Sequence, residues 1–150
     1  MDFVYMVKCA DNTYYTGWTT DPAHRLATHN SGKGAKYTRP RLPVAMVYLE
    51  QSPSKSIALS RENAIKKLTR SEKDILITTY KTATKNHPPF TPICWVSWQA
   101  NDLTDSPFAW DFDSFISLED TKASVLINMA DYPVKLHKKR KKKVTKKENL

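Results

Sequence analysis

Two short runs of aromatic and β-branched residues, FVYMVKC at residues 3–9 and YYTGWT at residues 14–19, flank the turn-forming ADNT. Helix punctuation follows at once. This order constrains the fold more than any other stretch. Runs this short, bounded by turn residues, read as two strands of a hairpin. Asp21 is placed to cap a first helix, Pro22 takes its first position, and Asn30 and Gly32 close it.

The next apolar run, PVAMVYLE at residues 43–50, is nearly uninterrupted in its middle and reads as a third, well-buried strand. A second helix is expected over about residues 54–68, with Ala58, Glu62, Ile65 and Leu68 on one stripe. Ser71 and Asp74 form a capping box for a third helix reaching about Ala83. The fold class is therefore α/β (α+β): a small three-stranded antiparallel or mixed sheet flanked by helices.

NHPPFTP at residues 86–92 holds three prolines in seven residues and marks a boundary. The expected organisation is a domain over 1–85, an acidic aromatic-rich appendage over 86–134 and a disordered basic tail over 135–150. Within the appendage, ICWVSW reads as a strand and SLEDTKASVLINMA as a helix capped by Ser117 with Asp120. Trp95, Trp98, Phe108 and Trp110 are expected to pack together there.

Charge follows the same division. Residues 1–87 carry +7, residues 88–134 carry −6 and residues 135–150 carry +8, against +9 for the chain. A basic body favours a polyanionic partner, most simply nucleic acid. Cys9 and Cys94 have neither zinc-site nor disulfide-framework spacing, which fits a reducing, cytoplasmic setting. No stretch approaches the roughly 18 apolar residues needed to cross a membrane.

The first 70 residues hold Tyr5, Tyr15, Arg25, His29 and Glu62. Arg25 and His29 are four apart and share a helix face. Glu62 lies on an apolar stripe, where a carboxylate needs a cation or a metal. Phosphodiester hydrolysis asks for a base, a cation on the non-bridging oxygens and stabilisation of the leaving alkoxide. A hard divalent metal on one carboxylate suits the last two, and arginine matches phosphate bidentately. A tyrosine serves as base only when its pKa is lowered, as nearby positive charge would do, or its proton is relayed. The chain has each of these parts.

VYM at residues 4–6, YTG at 15–17, the string TTDPAHRLATHNSGKGAKYTRPRLPVAMVY and the later ALSRENAIKKLTRSEK together resemble the GIY-YIG endonuclease superfamily. They are most similar to its small stand-alone bacterial YhbQ/YazA-like group, over about residues 2–80. The resemblance implies a single-metal endonuclease. Tyr5 and Tyr15 match the tyrosines of the two name-giving motifs, Arg25 the arginine of the first helix and Glu62 the metal-binding glutamate. His29 matches a histidine common in the stand-alone group. Tyr15 or Tyr5 is then the base, Arg25 the clamp on the transition state, His29 a proton shuttle or phosphate contact, and Glu62 the ligand of Mg²⁺ or Mn²⁺. Trp18 stands where some members carry a lysine beside the second tyrosine.

The two phenols must face one side of the sheet to share a site. A two-residue turn would put them on opposite sides. A three-residue loop at 11–13, or a bulge, would put them together. Lys33, Lys36, Arg39 and Arg41, in and after the glycine-containing loop, are expected to meet nucleic-acid phosphates, with Tyr37 either stacking on a base or packing.

The expected function is a metal-dependent endonuclease acting on nucleic acid, DNA in preference to RNA, in a repair or processing role, cytoplasmic and associated with the nucleoid. The alternative is a nucleic-acid-binding module of the same fold with little or no catalysis.

Overall fold

A computed structural model of the chain describes residues 1–96 and 125–128. The elements run β1 (Asp2–Lys8), β2 (Tyr14–Thr19), α1 (Pro22–Thr28), β3 (Ala45–Ser52), α2 (Lys55–Lys66), α3 (Arg70–Ala83), β4 (Ile93–Val96) and β5 (Val125–Asn128). They form an α+β fold on one mixed sheet of order β2-β1-β3-β4-β5. The antiparallel trio β2-β1-β3 is the expected three-stranded sheet. It is extended to five strands by β4, parallel to β3, and β5, parallel to β4. Ile93 is fully buried and Cys94 nearly so, which is why residues 93–96 stay on the sheet beside β3.

The helix expected over residues 117–130 is not what residues 125–128 form. They are strand β5, in which half-buried Val125 and Ile127 pack against the sheet's helix-side core. Period-two packing of β-branched residues outweighs the local cap signal there. Trp98, Phe108, Trp110 and the basic tail lie outside the described residues.

The β1–β2 loop is odd in length, as the shared site demands, but begins one residue early, at residues 10–12. Cys9 N–H donates to Thr13 O at 2.8 Å, Asn12 N–H donates to Cys9 O at 3.0 Å, and Asn12 takes φ +65°. A turn closed by a left-handed residue is a common three-residue hairpin, and asparagine tolerates that backbone well. Tyr5 pairs with Gly17 and Val7 with Tyr15, so Tyr5 and Tyr15 share a face.

The sheet has two dressed faces. Val4, Met6 and Tyr48 point to α2 and α3 and pack with Ala58, Ile65, Leu76 and Ile77. Tyr5, Val7 and Leu49 point the other way and pack with Cys9, Val44 and, from α1, Leu26. Each fully buried Leu or Ile contributes about 1.5–3 kcal/mol, so the larger helix-side cluster anchors the fold.

Helix α1 starts as expected, with Asp21 Oδ1 accepting from His24 N–H at 3.0 Å. It passes into a wider turn, His29–Lys33, ended by Gly32 at φ +77°. Helix α2 rotates slightly from the expected stripe: Arg61 is buried with Ala58 and Ile65, while Glu62 is only half-buried. Helix α3 is capped by Thr69 and Glu72 rather than Ser71 and Asp74. The two boxes overlap in sequence, and Glu72 reaches Thr69 N–H at 2.7 Å. Cys9 and Cys94 are both buried. Among the described residues no helix is long and apolar enough to cross a membrane.

Candidate active site

The site begins with Tyr5, fully buried on the central strand of the antiparallel trio. Its ring crosses over its register partner Gly17, where a Cβ would lie 2.5 Å from the phenol oxygen. Only a glycine leaves that space. His29 stands where α1 passes into its wider turn and is also fully buried. Its Nε2 is 2.8 Å from Tyr5 Oη, and its Nδ1 is 2.8 Å from Thr38 Oγ1. One helical turn earlier, Arg25 Nε donates to Tyr5 Oη at 3.1 Å. The i, i+4 spacing on α1 therefore aims two side chains at one phenol.

Tyr15 completes the cluster from β2. Its ring centroid is 6.4 Å from that of Tyr5 and 5.4 Å from that of His29. It is half-buried, so of the two phenols it is the one that meets solvent. Tyr37 stacks on Tyr15 at 6.1 Å and 21°, and Arg41 sits 4.1 Å from the Tyr37 ring centroid.

Electrostatics distinguish these groups. Burial raises the Tyr5 pKa, and the Arg25 hydrogen bond and charge pull it back. Burial, and then the Arg25 charge, lowers the His29 pKa, so its imidazole is neutral near pH 7. The hydrogen bond to Tyr5 and the nearness of Tyr15 hold Arg25 in its charged form against partial burial.

Glu62 projects from α2, and its charge is felt at Tyr5. Its Oε1 is 2.6 Å from Lys66 Nζ, one turn along the helix. Among the described residues no three His, Cys, Asp or Glu side chains are grouped as a metal cage. A single carboxylate that already attracts a cation still fits Mg²⁺ or Mn²⁺. Mg²⁺ keeps several waters and takes one or two carboxylates with substrate phosphates.

The basic residues divide. Lys33, Lys36 and Arg39 are exposed on the turn and loop after α1. Arg39 Nε donates to Gly34 O at 3.2 Å. Arg41 is engaged, its Nε 2.9 Å from Asp11 Oδ2 and its Nη1 donating to Tyr37 O at 2.7 Å. Tyr14 faces away from the site and donates to Asp74 Oδ1 at 2.6 Å. Trp18 pairs with Val4 on the helix side, where its Nε1 donates to Asp2 Oδ1 at 3.1 Å. A side chain at this position therefore faces away from Tyr15.

Two residues of the site escape sequence reasoning. Thr38 is fully buried against His29, and Gly34 leaves room for it, since a Cβ there would lie 2.5 Å from Nδ1. A buried imidazole needs a partner on each nitrogen, and the loop after α1 offers the hydroxyls of Ser31 and Thr38. That need is the signal that points to Thr38.

Residues 1–75 match the family described as the GIY-YIG catalytic domain. A UPF0213 protein of Streptococcus pyogenes serotype M5 (strain Manfredo) is 55% identical over 86 residues, covering 57% of this chain and 94% of the relative. Another, from serotype M3 (strain SSI-1), is 54% identical over the same shares. Among solved structures, the solution NMR structure of a UPF0213 protein from Bacillus halodurans is 38% identical. It covers 59% of this chain and 100% of that one, with a TM-score of 0.36.

Proposed function

This chain belongs to the GIY-YIG catalytic-domain family, and on that footing we propose that it is a metal-dependent endonuclease hydrolysing phosphodiester bonds of nucleic acid, DNA in preference to RNA. The observation that carries the reading is the convergence of Arg25, His29 and Tyr15 on the buried Tyr5 hydroxyl and ring. Three separate segments build that cluster, which puts a fixed cation beside a solvent-facing phenol.

Arg25 spends Nε on Tyr5 and keeps its terminal N–H groups for the non-bridging oxygens of a scissile phosphate. Tyr15, beside the Arg25 guanidinium, meets the attacking water and takes its proton. Tyr5 and His29, both shut off from water, hold Arg25 in place. Glu62 would hold Mg²⁺ or Mn²⁺, which when bound supplies positive charge to the phosphate and the leaving oxygen. Lys33, Lys36 and Arg39 track the backbone without reading bases. Tyr37 supports Tyr15, and Arg41 supports Tyr37. Residues 1–85 form the working unit, and the +8 charge of residues 135–150 would tie the protein to the cytoplasmic nucleoid.

The second reading, a binding module without catalysis, is favoured by one observation: the Lys66 ammonium already sits on Glu62. The deciding experiment is a cleavage panel of labelled duplex, single-stranded and branched DNA and of RNA, with Mg²⁺ or Mn²⁺. Wild type should cut and Glu62→Ala should fall to background. Equal cutting by the two would sink the metal assignment, and binding without cutting by wild type would favour the module.

A further inference from the structure

We infer that Thr38 is a positioning residue: through His29 it fixes the direction of a buried hydrogen-bond chain so that Tyr5 accepts from Arg25 and aims the guanidinium. The inference deepens the endonuclease reading and rests on it for its catalytic consequence.

The direction follows from counting hydrogens. Tyr5 is fully buried, and among the described residues its hydroxyl has two polar neighbours, Arg25 Nε and His29 Nε2. Arginine is donor-only. The phenol hydrogen therefore has one place to go, His29 Nε2, which must be bare. A neutral imidazole then carries its hydrogen on Nδ1, directed at Thr38 Oγ1. Thr38 Oγ1 in turn donates to Ala35 O at 3.0 Å. Every hydrogen finds an acceptor along Tyr5, His29, Thr38 and Ala35. The phenol oxygen keeps its lone pairs for Arg25.

The reverse direction fails on the same count. If Thr38 donated to Nδ1, Nε2 would carry the hydrogen and point it at Tyr5. The Tyr5 hydrogen would then have no acceptor in a dry site and would crowd the Arg25 N–H. A buried unsatisfied group is costly, so the first arrangement prevails. Gly34 serves the same end, since a Cβ there would push the imidazole off Thr38. The lowered His29 pKa agrees, because a doubly protonated ring would also leave the Tyr5 hydrogen unplaced.

The test uses the full chain labelled with ¹⁵N-histidine at pH 7, with the His29 signals assigned by their loss in His29→Gln. The protonated and bare ring nitrogens are well separated in ¹⁵N shift. Wild type should show hydrogen on Nδ1. Thr38→Val leaves one hydrogen without an acceptor in either tautomer, so the preference for Nδ1–H is lost, Nε2–H should become populated beside it, and the cleavage rate should fall by about tenfold, the scale of one misdirected buried hydrogen bond. Thr38→Ser, which keeps the hydroxyl, should restore both. Hydrogen on Nε2 in wild type would overturn the inference without any variant. So would an unchanged Nδ1–H tautomer in folded Thr38→Val, or tautomer loss in folded Thr38→Ser. If wild type cuts nothing, the nuclease reading has failed, and the tautomer still decides the direction of the chain.

Discussion

Gly17→Ala is the sharpest single perturbation of the site, because the sign of its effect is informative. Gly17 sits inside β2 in ordinary extended backbone, where alanine is normally favoured over glycine by about 0.5–1 kcal/mol. The structure reverses that expectation. The added Cβ would lie 2.5 Å from Tyr5 Oη, 2.7 Å from Cζ and 3.0 Å from Cε1. Ordinary carbon contacts begin near 3.5 Å, so the ring must retreat by about 1 Å. Tyr5 has nowhere to go, being fully buried and held at 2.8 Å by His29 and 3.1 Å by Arg25. Overpacking costs about 1–3 kcal/mol, and the strained hydrogen bond to a charged group adds about 1.5–3 kcal/mol. The net expectation is a loss of about 3 kcal/mol, or a Tm lower by roughly 12–24 °C for a domain of about 85 residues. Urea and thermal melts read it directly. In a Tyr5→Leu background the shorter side chain clears the Cβ, so the same substitution should cost less than about 1 kcal/mol. A Gly17→Ala protein as stable as wild type would refute the placement of the Tyr5 ring, and so would an equal loss in both backgrounds.

The remaining predictions concern His29 and the helix-side core. His29 has a folded pKa below its ordinary 6.5, owing to burial and then to Arg25. As pH falls from 6.5 towards that lower value, the unfolded chain takes up a proton that the folded chain refuses. Stability is therefore full above this window and declines as pH falls through it. Urea melts between about pH 7.5 and 5 should show that decline, and His29→Gln should flatten it; an identical slope in the variant would assign the effect to another group. On the other face, Arg61 Nε bonds both Glu50 carboxylate oxygens at 2.9 Å, with each side chain 2% exposed. Arg61→Ala should cost about 3–5 kcal/mol by taking the cation away from a buried carboxylate that would keep the Tyr48 O–H as a donor. Adding Glu50→Gln should recover part of that loss, and purely additive losses would mean the pair is not coupled.

These contrasts explain what the sequence made legible. The hairpin and α1 rest on local chemistry: short β-rich runs, a capping aspartate, a proline after it. Those signals act within a few residues and survive folding. The odd hairpin loop follows from a site-level demand, and the one-residue offset follows from Asn12 accepting a left-handed backbone better than its neighbours. Residues 125–128 were not legible as strand, because their pairing with β4 is a tertiary fact. The Arg61–Glu50 pair hides for a related reason. A small rotation of α2 decides whether position 61 or 62 turns inward, and periodicity read to the nearest residue does not resolve it.

The candidate site divides the same way. Tyr5, Tyr15, Arg25, His29 and Glu62 stand out because each carries chemistry in its own side chain. Thr38 and Gly34 matter only through His29, and only because its ring is buried on both nitrogens. The neighbours of Tyr15 make the point for the strand as a whole. Tyr14 bonds Asp74 beside α3, and Trp18 bonds Asp2 on the helix side, so alternation assigns them to the fold. Thus a lysine at position 18 would reach the helix layer rather than the Tyr15 phenol. The charge beside that phenol comes instead from Arg25, across the sheet surface on α1. The cation that the proposed chemistry needs is therefore supplied by α1, whose Arg25, together with His29 in the turn that follows, meets the Tyr5 hydroxyl.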